Sequence, residues 1–173
     1  MKTKLLVLTV GVVMIWMMKR YYADARVDEL WWILRPTARL AGVMTGTVFA
    51  MAPGEGYFSH ERLFLIEKSC AGINFMIAAF GMVTFALVHR ATSAISGARV
   101  LAVSLLAGYS AAVLVNAVRI AIAVQLAAHP IATLTPAEVH RLEGIIVYFG
   151  GLMLLYELAQ RFDRFVQLAR SNA

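Results

Sequence analysis

Residues 100–128 read VLAVSLLAGYSAAVLVNAVRIAIAVQLAA, a run of 29 residues whose single charge is Arg119. As a helix it would rise about 44 Å, against a hydrocarbon core of about 30 Å. It therefore crosses a bilayer with a tilt, a kink or an overhang. Arg99 precedes it and His129-Pro130 closes it.

The same pattern recurs on both sides. Residues 5–18 (LLVLTVGVVMIWMM) are uncharged and bracketed by Lys4 and Lys19-Arg20. They form a short span if the flanking Lys and Arg snorkel and Tyr21 and Tyr22 sit at the interface. A cleaved signal peptide with Ala23-Asp24-Ala25 as its small-residue site is the competing reading. A second run, 37–53, follows Pro36 and contains Gly42 and Gly46, whose G-x-x-x-G spacing lets another helix approach closely. Pro53-Gly54 breaks that helix, and residues 54–69 read as a polar loop. Residues 71–88 make a third span, ended by His89-Arg90. The last, 136–158, opens on Thr135 as cap, Pro136 at the first helical position and Glu138 completing a capping box. The expectation is an all-α, polytopic transmembrane helix bundle of about five spans, forming one integral membrane domain over residues 1–173.

Composition agrees. The chain is 61% hydrophobic and 15% charged, with mean hydropathy +0.73. Soluble domains sit nearer about 45–50% apolar with about a quarter of residues charged. The net charge of +6 does not point to nucleic acid, because the basic residues flank apolar runs instead of forming a patch or stripe. They read as topology signals and contacts to anionic lipid. Their distribution places residues 19–39, 89–99 and the C-terminal tail inside, and residues 54–69, 129–140 and the N-terminus outside.

Several chemistries are excluded by motif. There is no H-E-x-x-H, no Asp within a span and no G-x-S-x-G. The four histidines lack metal-ligand spacing, and the lone Cys70 cannot build a disulfide or a multi-cysteine metal site. No metal and no cofactor is implied.

Three residues remain. Arg119 in an apolar run faces the bundle interior or an aqueous cavity and needs a partner; Asn116 lies three residues earlier on the same face. Cys70 stands just before the third span, where backbone N–H groups at a helix start stabilise a thiolate. Gly72 beside it leaves room for a substrate carbonyl. His140 lies about one turn into the last helix, with Gly144 one turn further and Glu143 placed to orient it or to pair with Arg119. A thiol nucleophile, its base and a cation for an oxyanion suit acyl transfer at a peptide bond. The alternative is a non-enzymatic small transporter, channel subunit or membrane assembly partner, in which Arg119 binds an anion or a partner helix and Cys70 is incidental.

At these residues the sequence resembles the exosortase/archaeosortase family of membrane cysteine proteases and transpeptidases. The carriers are Cys70-Ala71-Gly72, Asn116-Ala117-Val118-Arg119-Ile120, and His140 with Gly144 and Phe149. The likeness covers roughly residues 33–158, and the small size resembles the short exosortase K type. It departs at Ala71, where the family often has Ser, and in its few spans. The resemblance implies Cys70 as nucleophile, Arg119 as oxyanion stabiliser or substrate clamp, and His140 as general acid/base. It implies as partner the C-terminal sorting signal of an exported protein, with a short motif, a transmembrane helix and a basic tail, as in PEP-CTERM proteins. Its setting would be the outer face of the bacterial cytoplasmic membrane. No oligomeric state is implied.

Overall fold

The computed structural model describes residues 1–128 and 135–171; for residues 136, 137, 140, 163 and 166–171 it describes the backbone alone. The described residues hold five α-helices: α1 (Lys2–Asp24), α2 (Trp31–Thr45), α3 (Ile73–Leu87), α4 (Ala94–Ala128) and α5 (Pro136–Ser171). Among the described residues four segments are long and apolar enough to cross a membrane: Lys2–Asp24, Lys68–Arg90, Ala94–Ala128 and Arg141–Phe162. The chain is an all-α, multi-pass membrane protein with one small sheet. Its contacts divide into two units, Met1–Ala23 with Asn74–Ala111 and Gly151–Ala173, and Asp24–Ile73 with Ala112–Gly150.

In the first unit α1 and α3 run antiparallel. The missing Cβ of Gly11 faces Thr84, that of Gly81 faces Ile15, and Lys19 Nζ donates to Asn74 Oδ1 at 2.9 Å. Val7, Val83, Leu87, Ala91 and Val100 form the core there. A Cβ on Gly108 would stand 3.1 Å from the Met76 carbonyl oxygen, so α4 meets α3 backbone to backbone. Small residues set close helix approach where lipid offers no hydrophobic driving force.

That role was expected at Gly42 and Gly46, and the structure corrects it. Gly46 is a left-handed cap (φ 65°) whose N–H returns to the Gly42 carbonyl, and Thr47 N–H joins it at 3.0 Å. The pair ends α2 instead of docking a helix against it. The second span expected over 37–53 therefore ends at Thr45, and its last residues enter a strand. Alanine at Gly46 would meet nothing within 4 Å, whereas at Gly42 it would stand 2.6 Å from the Thr47 carbonyl oxygen. Gly46→Ala is expected to cost about 1 kcal/mol through its dihedral alone. Gly42→Ala is expected to cost more, by thermal unfolding in detergent.

α2 begins earlier than expected, at Trp31, and passes through Pro36. Leu30, Ile33, Leu34, Thr37, Ala38, Ala41 and Thr45 form its buried face at helical spacing. This face packs on β2 and on the turn that carries Cys70. The expected polar loop 54–69 carries two strands, β2 (Gly56–Ser59) and β3 (Phe64–Ile66), which with β1 (Ala50–Ala52) before it make an antiparallel sheet in the order β1-β2-β3, with Met51 opposite Tyr57 and Tyr57 opposite Ile66.

The two ends of the segment between α1 and α3 are tied together. Lys68 Nζ donates to the Ala25 carbonyl at 2.7 Å, and Gly54 N–H donates to Asp28 Oδ1 at 3.0 Å. The segment from Asp24 to Ile73 thus begins and ends at one place. α2, whose 15 residues span about 22 Å and carry Arg35 and Arg39, packs on the sheet and is not among the segments long and apolar enough to cross a membrane.

Candidate active site

Cys70 lies in a short 3-10 turn, Lys68–Ala71, just before α3, where the sequence placed it. Gly72 then takes a left-handed conformation (φ 69°) and redirects the chain into α3. Cys70 is half-buried. Its N–H donates to the Glu67 carbonyl at 2.9 Å, and its Sγ is 3.8 Å from Ser69 Oγ, which donates to Glu67 Oε1 at 2.7 Å.

Four side chains of α4 and α5 build a polar cluster around this turn. Asn116, fully buried, donates through Nδ2 to the main-chain carbonyl of Cys70. Asn116 Oδ1 accepts the Tyr148 hydroxyl at 2.8 Å, and that hydroxyl accepts Arg119 Nη1–H at 3.0 Å. The guanidinium lies over the Tyr148 ring, 5.1 Å from its centroid. Arg119 Nε is 4.0 Å from Glu143 Oε1, with both residues buried. A directed chain of donors thus runs from Arg119 through Tyr148 and Asn116 to the backbone of Cys70. In a low-dielectric interior such chains polarise one another.

The glycines have distinct uses. A Cβ at Gly72 would be 3.1 Å from Asn116 Cγ, so the turn and the amide fit only with a bare backbone there. A Cβ at Gly144 would meet Arg119 Nε at 3.6 Å, an ordinary contact, so Gly144 gives Arg119 room without being required for it.

Of the expected residues, Cys70, Gly72, Asn116, Arg119 and Gly144 come together in this cluster. His140 is in the second turn of α5, but its side chain lies outside the described residues. Phe149, quoted with it, is exposed. Glu143 takes the second of its two expected roles, facing Arg119. Tyr148 was missed. Its signal was the spacing of four from His140 through Gly144 to Tyr148, which repeats along one helix.

The start of α5 follows the capping box. Glu138 Oε2 accepts Thr135 N–H at 2.9 Å and Thr135 Oγ1–H at 2.7 Å, and Glu138 N–H donates back to Thr135 Oγ1 at 3.3 Å. The Thr135 hydroxyl and N–H hold the Glu138 carboxyl below its usual range. A depressed carboxyl stabilises the fold above its unfolded-state pKa and loses that contribution as pH falls through the folded value. Glu138→Gln is therefore expected to lower the unfolding temperature at neutral pH. The gap to wild type should close on the acid side of the carboxylate range.

No metal-binding group of three or more His, Cys, Asp or Glu occurs among the described residues. The chain matches no protein-family model, no curated protein and no solved structure.

Proposed function

We propose that this chain is a membrane-embedded cysteine peptidase or transpeptidase of exosortase type, processing C-terminal sorting signals of exported proteins at the outer face of the bacterial cytoplasmic membrane. The observation that carries this reading is the hydrogen-bond chain from buried Arg119 through Tyr148 and Asn116 to the carbonyl of Cys70. An inert surface thiol needs no such support, whereas a nucleophile must be held still against its substrate.

In the proposed reaction the Cys70 thiolate adds to the carbonyl carbon of the scissile peptide. Negative charge builds on the carbonyl oxygen, and Arg119 is the nearby source of compensating charge. The tetrahedral adduct collapses with cleavage of the C–N bond, and His140 gives a proton to the departing amine. A thioester on Cys70 remains. Water or an acceptor amine attacks it, His140 takes the attacking group's proton, and the thiolate is restored. The substrate helix would enter laterally from lipid.

The test uses the single cysteine. Spheroplasts are treated at about pH 7 with a membrane-impermeant alkylating reagent, beside a permeant control. Labelling from outside, slowed by about an order of magnitude in Arg119→Ala and His140→Ala, is expected of a thiolate that depends on both. Labelling by the permeant reagent alone, or rates unchanged in both variants, would leave Cys70 incidental and favour a transport or assembly role.

A further inference from the structure

α2 has a second face. Opposite its buried side, Trp31, Arg35, Arg39 and Val43 follow one another at intervals of four, all exposed. Trp31, Arg35 and Arg39 line a cavity of about 540 Å³ with Phe49, Met51 and Tyr57, and Asp28 contributes the carboxylate of its lining. That carboxylate accepts the Gly54 amide. Neither arginine has a hydrogen bond or ion pair to a described residue. Tyr57 is 8% exposed, and its hydroxyl likewise has no partner among the described residues.

α2 is not among the segments long and apolar enough to cross a membrane, and Arg35 and Arg39 stand one turn apart on its exposed face. They form the basic stripe that the sequence alone did not reveal. Two guanidiniums against one carboxylate leave a single positive charge, which a phosphodiester balances. Guanidinium forks match phosphate oxygens in pairs, and the Tyr57 hydroxyl adds a donor. The surroundings are apolar as well. Val43 is 81% exposed, Val48 80% and Met51 56%, and Trp31 is the residue type that anchors at the lipid interface. An acidic peptide would satisfy the arginines but would leave this apolar margin uncovered.

We propose that the cavity binds the phosphodiester headgroup of an anionic phospholipid, with its acyl chains along Val43, Val48 and Met51. The site requires nothing of Cys70. The full chain in neutral maltoside micelles is titrated with phosphatidylglycerol, phosphatidylcholine, inorganic phosphate or a short acidic peptide, with thermal unfolding as readout. Phosphatidylglycerol is expected to raise the unfolding temperature saturably. Arg35→Gln and Arg39→Gln should each weaken its apparent affinity about fivefold. Arg62→Gln, an exposed arginine outside the cavity, should not change it. Where Gln variants fail to fold, Arg39→Lys keeps the charge, loses the fork and should still weaken binding. An equal response to phosphatidylcholine would remove headgroup recognition and overturn the proposal. So would saturation by inorganic phosphate alone, which would make this a free-phosphate site. A response to the acidic peptide with none to phosphatidylglycerol would make it a peptide site.

Discussion

Cys70→Ala is expected to abolish processing of exported proteins that carry a C-terminal sorting helix, by a factor on the order of 10³ or more. It should do so without disturbing the fold. Asn116 holds the main-chain carbonyl of Cys70, not its sulfur, so the chain Arg119–Tyr148–Asn116–Cys70 survives loss of the thiol. The thiol's neighbour, Ser69 Oγ, keeps its bond to Glu67. Cys70→Ser should be equally inactive, because a hydroxyl at neutral pH is a far weaker nucleophile than a thiolate. The measurement is the mass of envelope proteins in a strain whose only copy is the variant, beside its unfolding temperature in detergent. Unprocessed substrate with a near-wild-type unfolding temperature is the expected pair. Normal processing by either variant would end the peptidase reading.

How much of the fold the sequence discloses depends on which solvent each segment meets. Residues 100–128 and 71–88 announce themselves because they are long, apolar and nearly free of charge. α2 does not, since it is amphipathic. Leu30, Ile33, Leu34, Ala38 and Ala41 keep helical spacing, but Arg35 and Arg39 interleave with them, and a reading tuned to uncharged runs begins only after Pro36. The same reading carries the run past Gly46, because a left-handed cap looks like any other glycine until its amide is seen returning to Gly42. The sheet is concealed for a related reason: its strands are three or four residues long, too short for alternation to emerge.

The site is legible in kind more than in arrangement. An arginine in an apolar run demands a partner, and Asn116, three residues back, is the natural choice. Yet Asn116 does not bond Arg119 directly. The amide turns to the Cys70 carbonyl, and Tyr148 from another helix fills the gap. Tyrosine is common enough at membrane helix positions that only its register with His140 and Gly144 sets Tyr148 apart.

Arg119→Met is expected to destabilise the folded protein by about 3–5 kcal/mol, the usual consequence of removing one member of a buried ion pair. Glu143, 7% exposed, would keep its carboxylate without the guanidinium 4.0 Å away, and the Tyr148 hydroxyl would lose the donor that orients it toward Asn116. Insertion should move the other way, since α4 without Arg119 is more apolar and an arginine in a span costs roughly 2.5–3.5 kcal/mol on insertion scales. The variant should thus reach the membrane fraction fully and yet unfold at a lower temperature. Arg119→Lys should recover only part of the loss, because an ammonium cannot face Glu143 and donate to Tyr148 with one planar fork. The double variant Arg119→Met with Glu143→Gln decides what the pair is for. Both charges are then gone, and replacing a buried pair by neutral groups of similar size is often neutral or stabilising. Its unfolding temperature should return toward wild type. If processing stays absent while stability returns, the charge at position 119 is held for chemistry. If processing returns with stability, Arg119 is a structural member of the bundle, and the oxyanion must be met by other donors.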